Sequence, residues 1–316
     1  MDISAIARNI TEDIAEFFHG RRLSFPPELK YAPDVSRALI DIRERWPQLK
    51  ANANDQEIPV FVFSAGWRSG STLVQRLILS SRELVVWGEP LGDAAFIGRL
   101  AYSLSYVSDK WPPQKFFMTG SSLGELASRW IANLTPEINF LRSAHRCLFL
   151  EWFKKPAKQR FGLERWGLKE VRLTIHHARY LKWLFPNARF VFVYRHPLDA
   201  FRSWKGNKWR SKWPGYYPRS AMAFGRHWRF LLEGFIEGTE EVDGLLIKFE
   251  DLVTGKVRVK EIADHVRVSR IDPNVLSKKI ASPARKTRAG RSRITPIDRA
   301  IIHILCGALM RRLGYI

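Results

Sequence analysis

The chain has 316 residues, 46% hydrophobic and 26% charged, enough for one substantial core with appendages. No apolar run reaches the roughly 18–20 residues that span a bilayer, and the acids of MDISAIARNITEDIAEFF argue against a secretory signal. A net charge of +21 makes the expected partners anionic (nucleic acid, anionic lipid, acidic polysaccharide or a phosphorylated cofactor) without choosing among them.

Ile3, Ile6, Ile10, Ile14 and Phe17 recur at helical spacing and predict an amphipathic helix over 3–18. A second helix is expected over Asp34–Trp46, after the Phe25-Pro26-Pro27 break. Residues 1–56 thus read as a helical extension packed on a main domain, 57–316, with the polar stretch Lys50–Glu57 as the link. Cys147 and Cys306 lie far apart in helical patterns and form neither a disulfide framework nor a metal site. Both are expected to be buried thiols in a reducing, cytoplasmic setting.

The main domain opens on Pro59–Ser81, PVFVFSAGWRSGSTLVQRLILSS. The apolar run Val60–Phe63 predicts a buried strand, Ser64–Gly70 a small-residue turn, and Leu73, Leu77 and Ile78 one side of a helix. A strand running into glycines and a helix start aims backbone N–H groups and a positive helix end at one spot, where a phosphate-sized anion fits. Gly66 and Gly70 permit close approach, and Arg68 supplies a forked cation. This is not a Walker loop: Ala65 stands at its first glycine and Ser71 at its lysine. An ordinary strand–helix turn is the plain alternative.

Leu84–Trp87 predicts a second strand that ends at Gly88-Glu89-Pro90. Glu89 would stand beside the phosphate turn if the first two strands are neighbours, as consecutive strands often are. A strand-end carboxylate paired with an arginine is the other reading. Leu91–Ala157 is mostly helical in pattern, with a capping box at Ser122 and Glu125 and a helix start at Thr135-Pro136-Glu137. Arg165–Lys169 is a third strand with Lys169 at its end, and His176–Phe185 a helix. Ala188–Tyr194 reads as a strand buried on both faces. It delivers Arg195, and Ser203 follows eight positions on, two turns into the next helix, so that a guanidinium and a hydroxyl could meet on one phosphate. A surface arginine and a bland helical serine are the alternative. Leu245–Phe249 is a fifth strand, and a last helix runs from Thr295-Pro296 to about Leu313. Strands alternating with helices mean an α/β domain, three layers with a mainly parallel sheet.

The AGWRSGST turn resembles the 5′-phosphosulfate loop of sulfotransferases that use 3′-phosphoadenosine-5′-phosphosulfate (PAPS), and VFVYRHPLDAFRSW resembles their 3′-phosphate site. The resemblance covers roughly Pro59 onward. It implies that Gly66, Arg68, Ser69, Gly70, Ser71 and Thr72 hold the phosphosulfate, and that Arg195 and Ser203 hold the 3′-phosphate. Gly88-Glu89 resembles the glycine-glutamate of the carbohydrate and tyrosylprotein branches, which implies that Glu89 would serve as the general base. Lys169 resembles a lysine that shares charge on the departing phosphate in the tyrosylprotein branch. Thr287–Arg293 resembles a cofactor-covering loop, implying contacts from Gly290, Arg291 and Arg293, although Ser292 stands where tryptophan is usual. Leu313-Gly314-Tyr315 is also a family habit.

Sulfuryl transfer is an in-line displacement that needs positioning and charge stabilisation, and it does not demand a metal. His176 and His177 are rival bases, but their place within a helix favours core or surface roles. Trp204–Arg219 interleaves aromatics (Trp204, Trp209, Trp213) with cations, as a sugar- or base-stacking surface would, or as a packed loop would. The expected acceptor is a hydroxyl of a carbohydrate or glycolipid, anionic or sugar-containing. A tyrosine-bearing peptide comes next, and a kinase or a non-enzymatic nucleic-acid or polyanion binder represents the other classes. No sequence-specific nucleic-acid partner is expected, and peripheral membrane association is left open.

Overall fold

The computed structural model describes residues 27–47, 56–92, 95–117, 120–206, 218–278 and 294–316. The helix expected over 3–18, Trp209, Trp213, and the Gly290, Arg291 and Arg293 loop lie outside the described residues.

Five strands form one parallel sheet: β1 (Val60–Ser64), β2 (Leu84–Trp87), β3 (Arg165–Glu170), β4 (Arg189–Tyr194) and β5 (Gly244–Lys248). Their order across the sheet is β2-β3-β1-β4-β5. Among the described residues the helices of eight residues or more are α1 (Ala32–Arg45), α2 (Ser71–Leu79), α3 (Ala95–Tyr102), α4 (Ile138–Phe149), α5 (Ile175–Leu184), α6 (Pro197–Lys205), α7 (Ala221–Gly238), α8 (Val259–Val266) and α9 (Pro296–Arg312).

Period-two alternation decides which side chains face which layer. Val60 and Val62 of β1, with Val191 and Val193 of β4, face α2 and α8 through Val74, Leu77, Ile78, Ile262 and Val266. Phe61, Phe63, Phe190 and Phe192 face the other way, into a core shared with α1, α5, α6, α7 and α9. There Phe61 and Phe190 have ring centroids 5.3 Å apart, and Phe192 stacks on Phe235 of α7 at 4.5 Å. α1 buries Val35, Ala38, Leu39 and Ile42 in this core, and Ser36 Oγ lies 2.7 Å from His176 Nδ1 at the start of α5.

Two expectations need correction. β1 and β2 are not neighbours, because β3 lies between them. The α2 crossover skips one position, and β3, arriving much later in the chain, fills it. Gly167 of β3 suits that slot, since a Cβ there would come within 2.2 Å of the Val60 carbonyl oxygen. Cys147 is exposed, unlike Cys306. α4 buries Ile138, His145 and Phe149, and Cys147 lies on the opposite side of the helix.

Candidate active site

The turn after β1 is built from alternating backbone hands. Ala65 N–H extends the ladder to Val193 O at 2.8 Å, and the chain then takes positive φ at Gly66 (79°), Arg68 (64°) and Gly70 (100°). Such alternation points successive N–H groups into one concavity. The Ser69 hydroxyl donates to Ala65 O at 3.0 Å, so this side chain closes the turn. Gly70 is the N-cap of α2, and the first N–H groups of that helix, at Ser71 and Thr72, have no preceding turn to bond. Ser71 is buried and Thr72 exposed, so the Thr72 hydroxyl is the more accessible.

Arg195 leaves the end of β4 beside this turn. Its Nη1 reaches Arg68 O at 3.5 Å, and its guanidinium lies 4.7 Å from the Phe249 ring centroid. Arg68 Nε in turn donates to Ser203 Oγ on α6 at 2.9 Å. The two anion cradles expected from the sequence are therefore contiguous. Partial burial and then the nearby Arg195 lower the Arg68 pKa from its ordinary value. Among the described residues neither arginine has a carboxylate partner, and Arg195 Nε is buried without a hydrogen-bond acceptor. Two repelling guanidiniums with no acid between them leave positive charge that an anion would satisfy.

Glu89 sits one strand further from the turn than expected and is reached through Lys169. The Lys169 ammonium pairs with Glu89 Oε1, and both side chains are about nine-tenths buried, 8% and 11% exposed. Lys169 is next to last in β3, level with Val62 of β1, and Glu89 follows the end of β2, so the pair lies toward the carboxyl ends of β2 and β3. Glu89 Oε2 is buried and has no partner among the described residues, so one oxygen is held and the other is available. Glu170 adjoins this pair. Burial and then Glu89 raise its pKa to about 8, against the pull of Arg172 and Lys169.

Beneath the turn, Trp67 packs on Trp204 (5.1 Å) and His227 (5.0 Å). Burial lowers the His227 pKa to about 3. Trp204 is buried and its Nε1 donates to Pro218 O at 2.9 Å, so it packs under the site rather than offering a stacking face. The rival histidines are engaged elsewhere. His177 completes a capping box with Thr174, with a pKa lowered by burial to about 3, and His176 bonds Ser36, with a pKa lowered by burial to about 4.

The family model described as the sulfotransferase family matches residues 59–269, about two thirds of the chain. The chain belongs to the sulfotransferase family. No curated protein matches it. Solved structures that resemble this sulfotransferase include three other sulfotransferases. The sulfotransferase domain of the Synechococcus PCC 7002 olefin synthase is 21% identical, with 81% of this chain and 98% of that one covered and a TM-score of 0.40. Sulfotransferase STF1 of Mycobacterium tuberculosis H37Rv is 13% identical, covering 88% and 84%, with a TM-score of 0.42. STF9 of Mycobacterium avium is 14% identical, covering 91% and 86%, at 0.40. Among the described residues of the enzyme, no helix is long and apolar enough to cross a membrane, and no three acidic, histidine or cysteine side chains group as metal ligands.

Reading the sequence missed Phe249, Glu250 and Glu170. Phe249-Glu250 follows β5 and Glu170 ends β3, so the rule that ligands gather at the carboxyl ends of parallel strands would have singled them out.

Proposed function

We propose that this sulfotransferase moves the sulfuryl group of PAPS to a hydroxyl of a carbohydrate or glycolipid. The observation that carries the reading is the Arg68–Arg195–Ser203 cluster, two arginines without a carboxylate partner among the described residues, set against a nest of backbone N–H groups. Arg68, Gly66, Gly70, Ser71, Thr72 and the Ser69 N–H would hold the 5′ end of the donor, and Arg195 and Ser203 its 3′-phosphate. The Arg68–Ser203 hydrogen bond would then give way, as each group takes a phosphoryl or sulfuryl oxygen instead. PAPS supplies an activated sulfuryl group with a bisphosphate as leaving group.

Glu89 would accept the acceptor's proton on Oε2, while Lys169 fixes the carboxylate through Oε1. The Lys169 ammonium also supplies positive charge at the strand ends, where the leaving oxygen gains negative charge. The carboxylate would contribute about 10²–10⁴-fold. The net charge of +21 favours an anionic acceptor. A tyrosine-bearing peptide is the second reading, favoured by the Glu89–Lys169 pair because both placements resemble the tyrosylprotein branch.

The test is transfer from labelled PAPS to polysaccharide, glycolipid and peptide acceptors, with binding of adenosine 3′,5′-bisphosphate measured separately. Arg195→Ala and Arg68→Ala should weaken the bisphosphate, whereas Glu89→Gln should bind it and lose transfer. Wild-type affinity for ATP–Mg²⁺ with none for the bisphosphate would defeat the proposal.

A further inference from the structure

Helix α9 ends in a Schellman turn: Tyr315 N–H bonds Met310 O at 2.9 Å, and Gly314 N–H bonds Arg311 O at 3.0 Å, with Gly314 at φ 67°. That turn carries Tyr315 back across the sheet to the β4 end. The Tyr315 hydroxyl donates to Glu250 Oε2 at 2.8 Å, and Glu250 Oε1 accepts the His196 N–H at 3.0 Å. The ring also packs edge-on against His196 (4.8 Å) and Tyr194 (6.3 Å), the two neighbours of Arg195. Lys248 locks the arrangement, donating to Leu313 O at 3.0 Å and lying 4.0 Å over the Tyr315 ring. Burial and the adjoining Glu250 raise the Tyr315 pKa, so its hydroxyl keeps its proton and remains a donor.

We propose that Tyr315, acting through Glu250, is a positioning residue that holds the backbone on either side of Arg195 and so sets how well the enzyme discriminates a 3′-phosphorylated nucleotide. The inference rests on the donor reading given above. Among the described residues Arg195 is otherwise fixed by few contacts: Trp228 Nε1 on its carbonyl at 3.0 Å, Phe249 beside its guanidinium, and a long bond to Arg68 O. A guanidinium with so little side-chain support depends on its backbone for aim, and the last turn of the chain supplies that support from outside the β4–α6 unit.

The experiment compares adenosine 3′,5′-bisphosphate with adenosine 5′-monophosphate, which lacks the 3′ group, by calorimetry on the full chain. Tyr315→Phe removes one hydroxyl and keeps the ring. It should weaken the bisphosphate roughly 3- to 10-fold, the effect of one hydrogen bond, and leave the monophosphate unchanged. Glu250→Met, which can neither accept the His196 N–H nor bond the Tyr315 hydroxyl, should weaken the bisphosphate at least as much, and Tyr315→Phe should add nothing in an Arg195→Ala background. Equal losses for both nucleotides, or a further loss of bisphosphate affinity in the Arg195→Ala background, would show Tyr315 to be a general brace and overturn the inference alone. A wild-type enzyme with no preference for the bisphosphate would overturn the donor reading together with it.

Discussion

Gly66 and Gly70 share one turn and one kind of backbone, yet alanine should be tolerated very differently at the two positions. Both have positive φ, 79° and 100°, where an L-residue costs about 1–2 kcal/mol. Arg68, at φ 64° between them, shows that the turn can absorb one such cost. At Gly66 a Cβ would come only within 3.4 Å of His227 Cδ2, an ordinary contact, so Gly66→Ala should cost little beyond the strain. At Gly70 it would lie 2.2 Å from Phe249 Cδ2 and 2.8 Å from Cε2, and the ring must move. Forcing a packed ring aside typically costs about 1–3 kcal/mol more, which brings Gly70→Ala to about 2–5 kcal/mol. Because Phe249 also lies against the Arg195 guanidinium, the displacement should reach the proposed nucleotide site. Urea unfolding of both variants, with bisphosphate binding by calorimetry, reads the two effects. Equal destabilisation of the two variants, or unaltered binding in Gly70→Ala, would refute the account of the turn.

Three other outcomes follow from the same contacts. Lys205→Met should cost about 3–5 kcal/mol, because Lys205 Nζ pairs at 2.8 Å with Asp298, which is almost fully buried and would be left with an unpaired charge; a lower urea midpoint with an unchanged slope checks it. His177 and His227 have folded pKa values near 3 against an ordinary 6.5, so the unfolded chain binds more protons below 6.5, and stability should fall as pH drops from about 6.5 towards 3. His227→Phe should flatten that acid limb, and an unchanged limb would count against a neutral His227. Glu170 works in the opposite direction: its folded pKa of about 8 lies above the ordinary 4.5, so the native state binds the extra proton and its contribution to stability should fall as pH rises from about 4.5 to 8, opposing the histidines up to 6.5 and acting without them above it. Glu170→Gln should remove that contribution, seen as a melting temperature that rises more steeply with pH below about 6.5 and no longer declines from there to 8.

Much of the proposed site could be read from the sequence as local pieces. The strand–turn–helix at Pro59–Ser81 needs only a run of apolar residues, small residues with Arg68, and Leu73, Leu77 and Ile78 at helical spacing, all within reach of one another along the chain. β2 matches its expected span, Leu84–Trp87, and Ser122 and Glu125 form the expected capping box, for the same reason. Arg195 and Ser203 also needed only a strand end and two helical turns.

What the residues alone could determine was therefore the five strands and the helices that flank them, with Arg68, Glu89, Lys169 and Arg195 at their carboxyl ends. Only the tertiary structure decided which strand ends are neighbours. β3, arriving some 80 residues after β2, inserts between β2 and β1 and brings Lys169 to Glu89, and α6 returns Ser203 to Arg68. The same holds for Phe249, Glu250 and Tyr315, which reach Arg195 from β5 and α9. Spacing along a chain governs what lies on one element, whereas the order of strands is set by how whole faces pack, and no local pattern encodes that.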